Sequence, residues 1–428
     1  MRLKLVVALT AVGALAAPGV ASADVVTDWN RNMADALLVA HTAPQPATRV
    51  GAIVQTAVFD AVNGIAGRYE QFRPDVIGAS APHGASQRAA AAEAAYTALV
   101  ALLPAQKGTF DAELQATLAS LSDDDEDEGL GQAVARGLAW GETVANAILA
   151  WRSTDGFTAS LPPYVIGPLP SWQPTPAAFV QTPVFRQFAT MTPWTMSSPN
   201  QFLPAPPPAL TSARYTDDFN EVKTIGNAAT TTQAMIDTAK FWNGVFETAG
   251  PMWNRAAERL ADTRDAKLVD NARLFALLNV SMADAVISVW NAKNTYNTWR
   301  PITAIRNADM DGNLATAQDP SWAPVLVTPP HQEYPSGHSG VSGAAAAVLA
   351  AFYGNDTTLT ITSDGFPPTP FVARTYSSFS EAIAEVALAR IAGGIHFRFA
   401  CDAAAQMGSS VADQAMDTQM TRFRGQDR

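Results

Sequence analysis

Two histidines in the C-terminal half of the chain come shortly after residues whose side chains or N–H groups could bind an oxyanion, and a histidine there could transfer a proton. His338 ends the stretch Tyr334–Pro335–Ser336–Gly337–His338, which precedes a small-residue run from Gly340 to Phe352. The run predicts a helix, and a proline and a serine favour its start. The first backbone N–H groups of a helix lack partners and carry partial positive charge. We therefore expect Ser336 and the Gly337 N–H to bind an oxyanion, with His338 beside it as a proton donor.

A second segment supplies two cations before that stretch. Lys293 and Arg300 are seven residues apart, near the end of a predicted helix that begins near Asp270, and Pro301 follows. Seven residues are nearly two helical turns, so the spacing predicts both cations on one helix face, with the helix ending at Pro301. Two uncompensated cations on one face are costly unless an anion lies between them. A pair of basic surface residues is the alternative interpretation.

A third segment carries Arg390 and His396. Ser378 and Glu381 form a capping box that predicts a helix running through Arg390. A continuous helix would place Arg390 and His396 about 120° apart. Gly393–Gly394 breaks that helix and lets the chain bring His396 back towards Arg390. Three cations, two neutral donors and two imidazoles together favour acid–base chemistry on a tetrahedral or trigonal-bipyramidal oxyanion.

Helical patterning predicts the elements that must position these residues. Apolar residues recur at helical spacing in the N-terminal third, for example from Val50 to Ile65, and again between Ser212 and Arg300. Thirteen of the 29 prolines lie between Pro162 and Pro208, among large aromatic residues that a disordered linker would not carry. We predict a mainly α fold: two packed helical bundles with a long, ordered, proline-rich irregular segment. The predicted divisions are residues 1–23, 24–152 (N-terminal bundle), 153–211 (proline-rich connection) and 212–428 (C-terminal catalytic bundle).

The N-terminus predicts export. Arg2 and Lys4 precede an apolar run, and Ala21–Ser22–Ala23 has the pattern of a secretory cleavage site. We expect an exported protein, periplasmic or extracellular, after cleavage near Ala23, with no membrane anchoring. The 428-residue chain has a net charge of −11, which argues against nucleic acid as a partner. Its one cysteine, Cys401, cannot form an internal disulfide, so the core must hold the fold.

Two acidic stretches raise the question of calcium. Six consecutive carboxylates run from Asp123 to Glu128, and Asp309 to Asn313 resembles the start of a calcium loop. The first stretch lacks a defined ligand geometry, and the second has its glycine at the fourth place and no glutamate at the twelfth. We predict a turn at each. Thr369 to Thr375 is predicted to form a short extended piece, and no other strand pattern is evident.

The order of the three segments resembles a known signature. Lys-x6-Arg-Pro, then Pro-Ser-Gly-His, then Arg-x5-His is similar to the signature shared by vanadium-dependent haloperoxidases and type 2 phosphatidic acid phosphatases. The wider stretches, which are 299–306, 328–331 and 394–399, resemble the bacterial haloperoxidase branch. The similarity is strongest over about residues 200–428 and looser over the proline-rich segment and the N-terminal helices. Three motifs in the same order are far more specific than any one of them.

The resemblance implies a vanadate-dependent enzyme. It assigns vanadate oxygens to Lys293, Arg300, Ser336, Gly337 and Arg390. His396 would be the direct vanadium ligand, and His338 would face the opposite apical oxygen. Hydrogen peroxide and a halide would be the substrates, a hypohalous species the product, and small organic molecules the acceptors.

This chain departs from the family pattern at two positions. The family usually has serine where this chain has Ala389, and an acid four residues after the last histidine, where this chain has Ala400. Asp402 lies two residues further on. His331 stands where bromide-active relatives tend to carry histidine, which favours bromide or iodide over chloride. A loop histidine bonded to a carbonyl is the alternative for His331.

Two other functions remain open from the residues. In an exported acid phosphatase, His396 would attack phosphorus to form a phosphohistidine, and His338 would protonate the leaving oxygen. In a non-catalytic module, the same cations and N–H groups would only sequester an oxyanion. That role needs no proton donor, so it would leave the pair of histidines unexplained. His41 and His83 lie in loops and are assigned no role. The sequence leaves the oligomeric state open.

Overall fold

A computed structural model shows the fold and describes residues 24–122, 128–369 and 371–423. The predicted signal peptide and the acidic residues 123–127 lie outside the described residues. The N-terminal helices are α1 (Val25–Val39), α2 (Pro44–Ala66), α3 (Pro74–Ile77), α4 (Gln87–Leu102), α5 (Lys107–Ser122) and α6 (Glu128–Arg152). The helices after the proline-rich segment are α7 (Ala213–Ile225), α8 (Gln233–Asn243), α9 (Ala249–Ala261), α10 (Leu268–Tyr296), α11 (Pro301–Arg306), α12 (Gly337–Tyr353), α13 (Phe379–Ala392) and α14 (Arg398–Thr418).

The prediction of a mainly α fold is confirmed. One antiparallel strand pair, β1 (Leu359–Ser363) and β2 (Val372–Tyr376), packs at the edge of the helices, with Leu359 opposite Tyr376. The extended piece that we predicted near residue 372 is therefore β2. Its partner β1 was missed, because its sequence LTITS is too short to give a strong alternating pattern.

Helix α10 lies at the centre of the molecule. It packs against α2 from the N-terminal half and against α12 and α14 from the C-terminal half. By length and composition α10 could span a membrane, but its most apolar stretch is 94% buried inside the protein. The larger of two hydrophobic clusters runs from α1 to α14 through this helix, and the smaller one lies around Tyr215 and Trp299. The two predicted bundles share the larger cluster, and their division stays a prediction.

Small residues allow α12 and α14 to pack closely. A Cβ atom added at Gly408 would lie 2.1 Å from the Gly340 carbonyl oxygen, and one at Gly343 would lie 2.5 Å from that of Ala405. Both distances are far inside van der Waals contact, so larger residues would force the helices apart. The small-residue run thus brings the beginning of α12 next to the segment that carries His396.

The proline-rich segment is ordered, as predicted, and buried aromatic residues hold it in place. Trp172 and Phe188 are almost completely buried. Asp284 of α10, itself fully buried, accepts hydrogen bonds from the backbone N–H groups of Trp194 (2.7 Å), Thr195 (2.7 Å) and Met196 (3.3 Å). One carboxylate of the central helix therefore anchors the end of this segment.

We expect Asp284→Ala to lower the free energy of unfolding by about 3 kcal/mol, because the buried backbone N–H groups of residues 194–196 lose their common acceptor. Urea unfolding followed by circular dichroism would measure the loss, with Asp217→Ala on the exposed face of α7 as the control. An Asp284→Ala protein as stable as that control would show that the segment is held without this carboxylate.

One prediction about the helices is wrong. Helix α10 ends at Tyr296, where Asn297 takes a left-handed conformation (φ 47°). Arg300 is the N-cap residue of the separate helix α11, and Pro301 begins that helix rather than ending the previous one. Lys293 and Arg300 therefore do not share a helix face. A proline marks a helix start as readily as a stop, and seven-residue spacing carries no information about a turn in between.

The turn predicted near residue 311 is confirmed. A single 3-10 turn spans Ala308–Met310, and the Asp311 carboxylate accepts the Asn313 N–H at 2.7 Å. Gly312 has φ 73°, a conformation that glycine adopts without strain.

Candidate active site

The beginning of α12 has the geometry that the sequence predicted. Ser336 is its N-cap, fully buried, and its Oγ accepts hydrogen bonds from the N–H (3.4 Å) and the hydroxyl (3.1 Å) of Ser339. The Ser336 N–H donates to the Ala400 carbonyl at 3.0 Å and so ties α12 to the beginning of α14. The N–H of Gly337 belongs to the first turn, where helical N–H groups have no acceptor within the helix. The beginning of α12 therefore offers an N–H donor to an anion.

Lys293 projects from the last turns of α10 and is fully buried. Its Nζ donates to the carbonyl oxygens of Gln332 (2.6 Å) and Glu333 (3.0 Å), just ahead of α12. Burial, and then the nearby Arg300 cation, hold the pKa of Lys293 well below its usual value. A bound anion would offset that cost, since an opposite charge favours the protonated amine.

Arg300 is also fully buried, and backbone carbonyls take up most of its donors. Nε donates to His331 O (2.7 Å), Nη1 to Ile395 O (2.7 Å) and Nη2 to Pro329 O (3.2 Å). Nη1 also lies 3.1 Å from His396 Nε2. Burial lowers the pKa of Arg300 to about 9. Arg300 thus joins the loop before α12 to the loop before α14.

Arg390 differs from the other two cations because it lacks good partners. It lies near the end of α13 and is 1% exposed, yet its Nε and Nη1 have no hydrogen-bond partner in the part of the chain that the structure describes. Its Nη2 reaches Asn243 Oδ1 at 3.5 Å. Burial lowers the pKa of Arg390 to about 10. A buried guanidinium with two free N–H groups requires an acceptor, and an oxyanion such as vanadate fits that requirement.

His396 is held between Arg300 and a buried carboxylate. Its Nδ1 lies 3.0 Å from Glu333 Oε1, which also accepts the Phe397 N–H at 3.0 Å. Its Nε2 faces Arg300 Nη1, which can only donate. Burial, and then Arg300, keep the pKa of His396 well below its usual value, so the ring is neutral. Nε2 is therefore the lone-pair nitrogen, the form that a metal centre requires.

Glu333 was missed by the sequence reasoning. A signal was present: it is the only acidic or basic side chain, histidine aside, between Pro320 and Asn355. A charge in such an apolar stretch is rarely buried without a partner. Burial raises the pKa of Glu333 to about 7, and the Lys293 cation opposes that shift.

His338 and His331 both border the space in front of His396. His338 Nε2 is buried and has no hydrogen-bond partner among the described residues, and burial and then Arg390 hold the His338 pKa well below its usual value. His331 Nδ1 lies 3.0 Å from Arg300 Nη2 and 3.1 Å from the Gln332 carbonyl oxygen. His331 thus makes the carbonyl contact expected of an ordinary loop histidine, and it also contacts Arg300, a candidate anion-binding cation.

Part of this set borders one cavity of about 320 Å³. Gly337, His338, His396 and His331 are among its lining residues, whereas Ser336, Lys293, Arg300 and Arg390 are not. The other walls are mostly apolar and come from α2, the proline-rich segment, the start of α9, α10 and α12; they include Pro44, Val184, Phe185, Ala249, Val286, Trp290 and Val341. Residues from several distant parts of the chain thus line one pocket, and the site assignment stays a prediction.

The structure shows what surrounds the two positions, Ala389 and Ala400, at which this chain departs from the family pattern. Asp402 does not reach the site, because it pairs with Arg214 at 2.7 Å and its side chain is 53% exposed. Ala389 is fully buried, and Ala400 contributes its carbonyl to Ser336. The carboxylate beside the last histidine comes instead from Glu333, which precedes α12. His41 stacks on Phe246 at 3.9 Å between ring centroids and is not among the residues that line the cavity.

Comparisons with known proteins find similarity to vanadium haloperoxidases over part of the chain. Residues 273–425 match the family model of the VCPO second helical-bundle domain. Vanadium chloroperoxidase from Curvularia inaequalis is 27% identical over a match that covers 36% of this chain. The match spans 30% of the length of that relative.

The fold is shared with solved bacterial enzymes. A bacterial vanadium-dependent iodoperoxidase superposes with a TM-score of 0.76 at 25% identity, over 94% of this chain and 98% of that one. A holo-type bacterial vanadium-dependent chloroperoxidase has a TM-score of 0.63 at 18% identity, over 94% of each chain, which shows the common fold. The chain is therefore similar in fold to solved bacterial vanadium-dependent haloperoxidases, and residues 273–425 match the VCPO second helical-bundle domain.

Proposed function

We propose that this protein is a vanadate-dependent haloperoxidase that oxidises a halide with hydrogen peroxide to a hypohalous species. The observation that carries the proposal is Arg390, a buried cation with two unpartnered N–H groups. It lies close enough to His338 to lower the pKa of that imidazole. An oxyanion beside His338, which does line the cavity, would supply the acceptor that Arg390 lacks.

Bound vanadate would supply a Lewis-acidic centre that activates hydrogen peroxide towards halide. Lys293, Arg300 and Arg390 would hold its negative charge, with the Ser336 hydroxyl and the Gly337 N–H as neutral donors. Each of the three cations is at most 1% exposed, so water screens little of the attraction. Lys293 and Arg300 are already held by backbone carbonyls in the anion-free protein, but Arg300 Nη1 would have to release His396 Nε2 when the anion binds.

The two histidines would do different work. His396 presents the Nε2 lone pair as the ligand atom, and its Nδ1–H is held by Glu333. His338 has a free Nε2 at the cavity and no competing partner among the described residues, so it can accept a proton from an incoming peroxide and return it later. Burial keeps His338 neutral before the anion binds, which is the form a base requires.

We propose bromide or iodide as the halide. His331 borders the cavity and contacts Arg300, so its imidazole contributes a polar surface next to the oxyanion position. The structural neighbour that superposes with a TM-score of 0.76 is an iodoperoxidase, which supports this choice. Small organic molecules would accept the oxidised halogen.

A single set of assays tests the function. The purified protein, stripped of metal, would be titrated with vanadate while oxidation of bromide, iodide and chloride by hydrogen peroxide is followed, with the exposed Asp217→Ala variant as a control. We expect saturable, vanadate-dependent halide oxidation and no hydrolysis of a phosphate ester. Ester hydrolysis that vanadate inhibits, without halide oxidation, would instead identify an acid phosphatase. Tight oxyanion binding with neither activity would identify a sequestering module.

We also propose that the protein is exported. The basic start, apolar run and small-residue pattern before Asp24 support cleavage near Ala23. N-terminal sequencing of protein recovered from outside the cytoplasm should give a chain that begins close to Asp24. A chain recovered only from the cytoplasm with Met1 intact would refute export.

A further inference from the structure

Glu333 occupies a position from which it contacts two parts of the anion site. It is fully buried and lies three residues before Ser336. Its carboxylate Oε1 lies 3.0 Å from His396 Nδ1, and its own carbonyl oxygen accepts a hydrogen bond from Lys293 Nζ at 3.0 Å. One residue thus contacts both the candidate vanadium ligand and one of the candidate cations.

The contacts of His396 define which nitrogen carries the hydrogen. Arg300 Nη1, 3.1 Å from Nε2, has no lone pair and can only donate. Oε1 of Glu333 also receives the Phe397 N–H, which requires an accepting oxygen at that place. The arrangement is satisfied when His396 carries its hydrogen on Nδ1 and Nε2 accepts from Arg300 Nη1, so Glu333 is the acceptor that favours this tautomer.

We propose that Glu333 is the positioning residue of this site, which fixes the tautomer and the orientation of His396 for a metal-centred oxyanion. It would supply from the loop before α12 the acidic support that this chain lacks at Ala400. The metal-binding purpose of this arrangement rests on the proposed function. The tautomer of His396 and its dependence on Glu333 are properties of the anion-free protein. Asp402, the other acid near the last motif, pairs with Arg214 and is not available for this role.

The alternative is that Glu333 only stabilises the loop, through Phe397. Three variants separate the two roles. Glu333→Gln keeps an oxygen that can accept from both Nδ1–H and the Phe397 N–H, whereas Glu333→Met has similar length and no such acceptor. Asp60→Asn serves as the structural control: Asp60 is fully buried in α2, accepts the N–H groups of Phe72 and Arg73, and does not line the cavity.

The first readout is the side-chain nitrogen signals of His396 in anion-free protein labelled with ¹⁵N-histidine, assigned with His396→Gln. We expect a protonated-type Nδ1 and an unprotonated-type Nε2 in the wild type, in Glu333→Gln and in Asp60→Asn. Glu333→Met should show mixed or reversed tautomers. A fixed Nδ1–H form in a folded Glu333→Met protein would overturn the proposal.

The second readout compares vanadate and phosphate binding by calorimetry. Loss of support beside a metal-ligating histidine costs roughly ten- to a hundredfold in metal affinity, so we expect that loss for vanadate in Glu333→Met. Phosphate should lose less, because it needs the cations but no imidazole–metal bond. Glu333→Gln should restore most of the vanadate affinity. Equal losses for the two anions in Glu333→Met, or no rescue by glutamine, would overturn the positioning role.

These outcomes are separate from the test of the proposed function. If the wild-type protein shows no halide oxidation, the tautomer of His396 and its dependence on Glu333 still decide the inference. If Glu333→Met fails to fold, the wild-type and Glu333→Gln spectra decide it: an Nε2–H tautomer in either would overturn the proposal.

Discussion

Arg390→Met should make the anion-free protein more stable and abolish its stabilisation by oxyanions. The wild-type guanidinium is buried with two N–H groups unpartnered, a cost that an apolar side chain of similar length removes. We expect the free energy of unfolding to rise by about 1–3 kcal/mol without ligand. The variant cannot form the two charge-assisted hydrogen bonds that Arg390 would make to a bound anion. The binding free energy for vanadate and phosphate should therefore weaken by about 3 kcal/mol, so that the affinity falls roughly a hundredfold.

Urea unfolding with and without phosphate or vanadate measures both effects, since a ligand that binds only the folded state raises its stability. Arg152→Met is the matched control: Arg152 is fully buried but is satisfied by Asp155 at 3.0 Å and by the Thr192 carbonyl at 2.8 Å. The control should lose stability and keep oxyanion binding. If Arg390→Met is destabilised to the same extent and still binds phosphate normally, Arg390 is a structural cation and the site assignment is wrong.

His338→Ala should retain the oxyanion and lose turnover. Vanadate affinity at neutral pH should change by about tenfold or less, because the three cations and the helix start remain. Halide oxidation should fall by roughly 10²- to 10⁴-fold, the contribution of a positioned acid–base group. Steady-state kinetics at saturating vanadate measures the loss. Turnover close to the wild-type value would remove His338 from the mechanism.

The same variant tests a pH dependence. Burial, and then Arg390, hold the pKa of His338 well below its usual value, so the imidazole is neutral in the anion-free protein near pH 7. A bound anion favours the charged form and raises that pKa. Binding therefore takes up a proton, and oxyanion affinity should weaken as the pH rises. Calorimetry in buffers of different ionisation enthalpy should show a smaller proton uptake in His338→Ala; an equal uptake in both proteins would assign the proton to another group.

Local sequence signals predicted most of the helices. Ser336 caps α12 as expected, and Ser378 accepts the Glu381 N–H at 3.1 Å while the Glu381 carboxylate accepts the Ser377 N–H at 2.7 Å. Gly394 takes φ 72° and ends α13 as the break before His396 required. Caps and glycine breaks act within four residues, so they can be read without the fold.

The hydrogen-bond partners of the charged side chains could not be predicted from such local sequence signals. The spacing of Lys293 and Arg300 suggested one helix face, but the left-handed Asn297 separates them, and they meet the site from different elements. Glu333 was not singled out from the sequence, because its contact with His396 joins two segments that are 63 residues apart. Which donors remain unpartnered, as at Arg390, depends on every neighbour in the packed interior.

The sequence by itself determined the family signature, the mainly α fold and the identity of the cations and imidazoles. These depend on residue types and on spacings of a few positions, where capping, helix periodicity and glycine conformation operate. Only the tertiary structure decided that residues of α2 and the proline-rich segment line the cavity, that Glu333 contacts His396, and that Arg390 Nε and Nη1 have no partner among the described residues. The physical reason is that desolvation and hydrogen-bond satisfaction are set by groups brought together from distant parts of the chain.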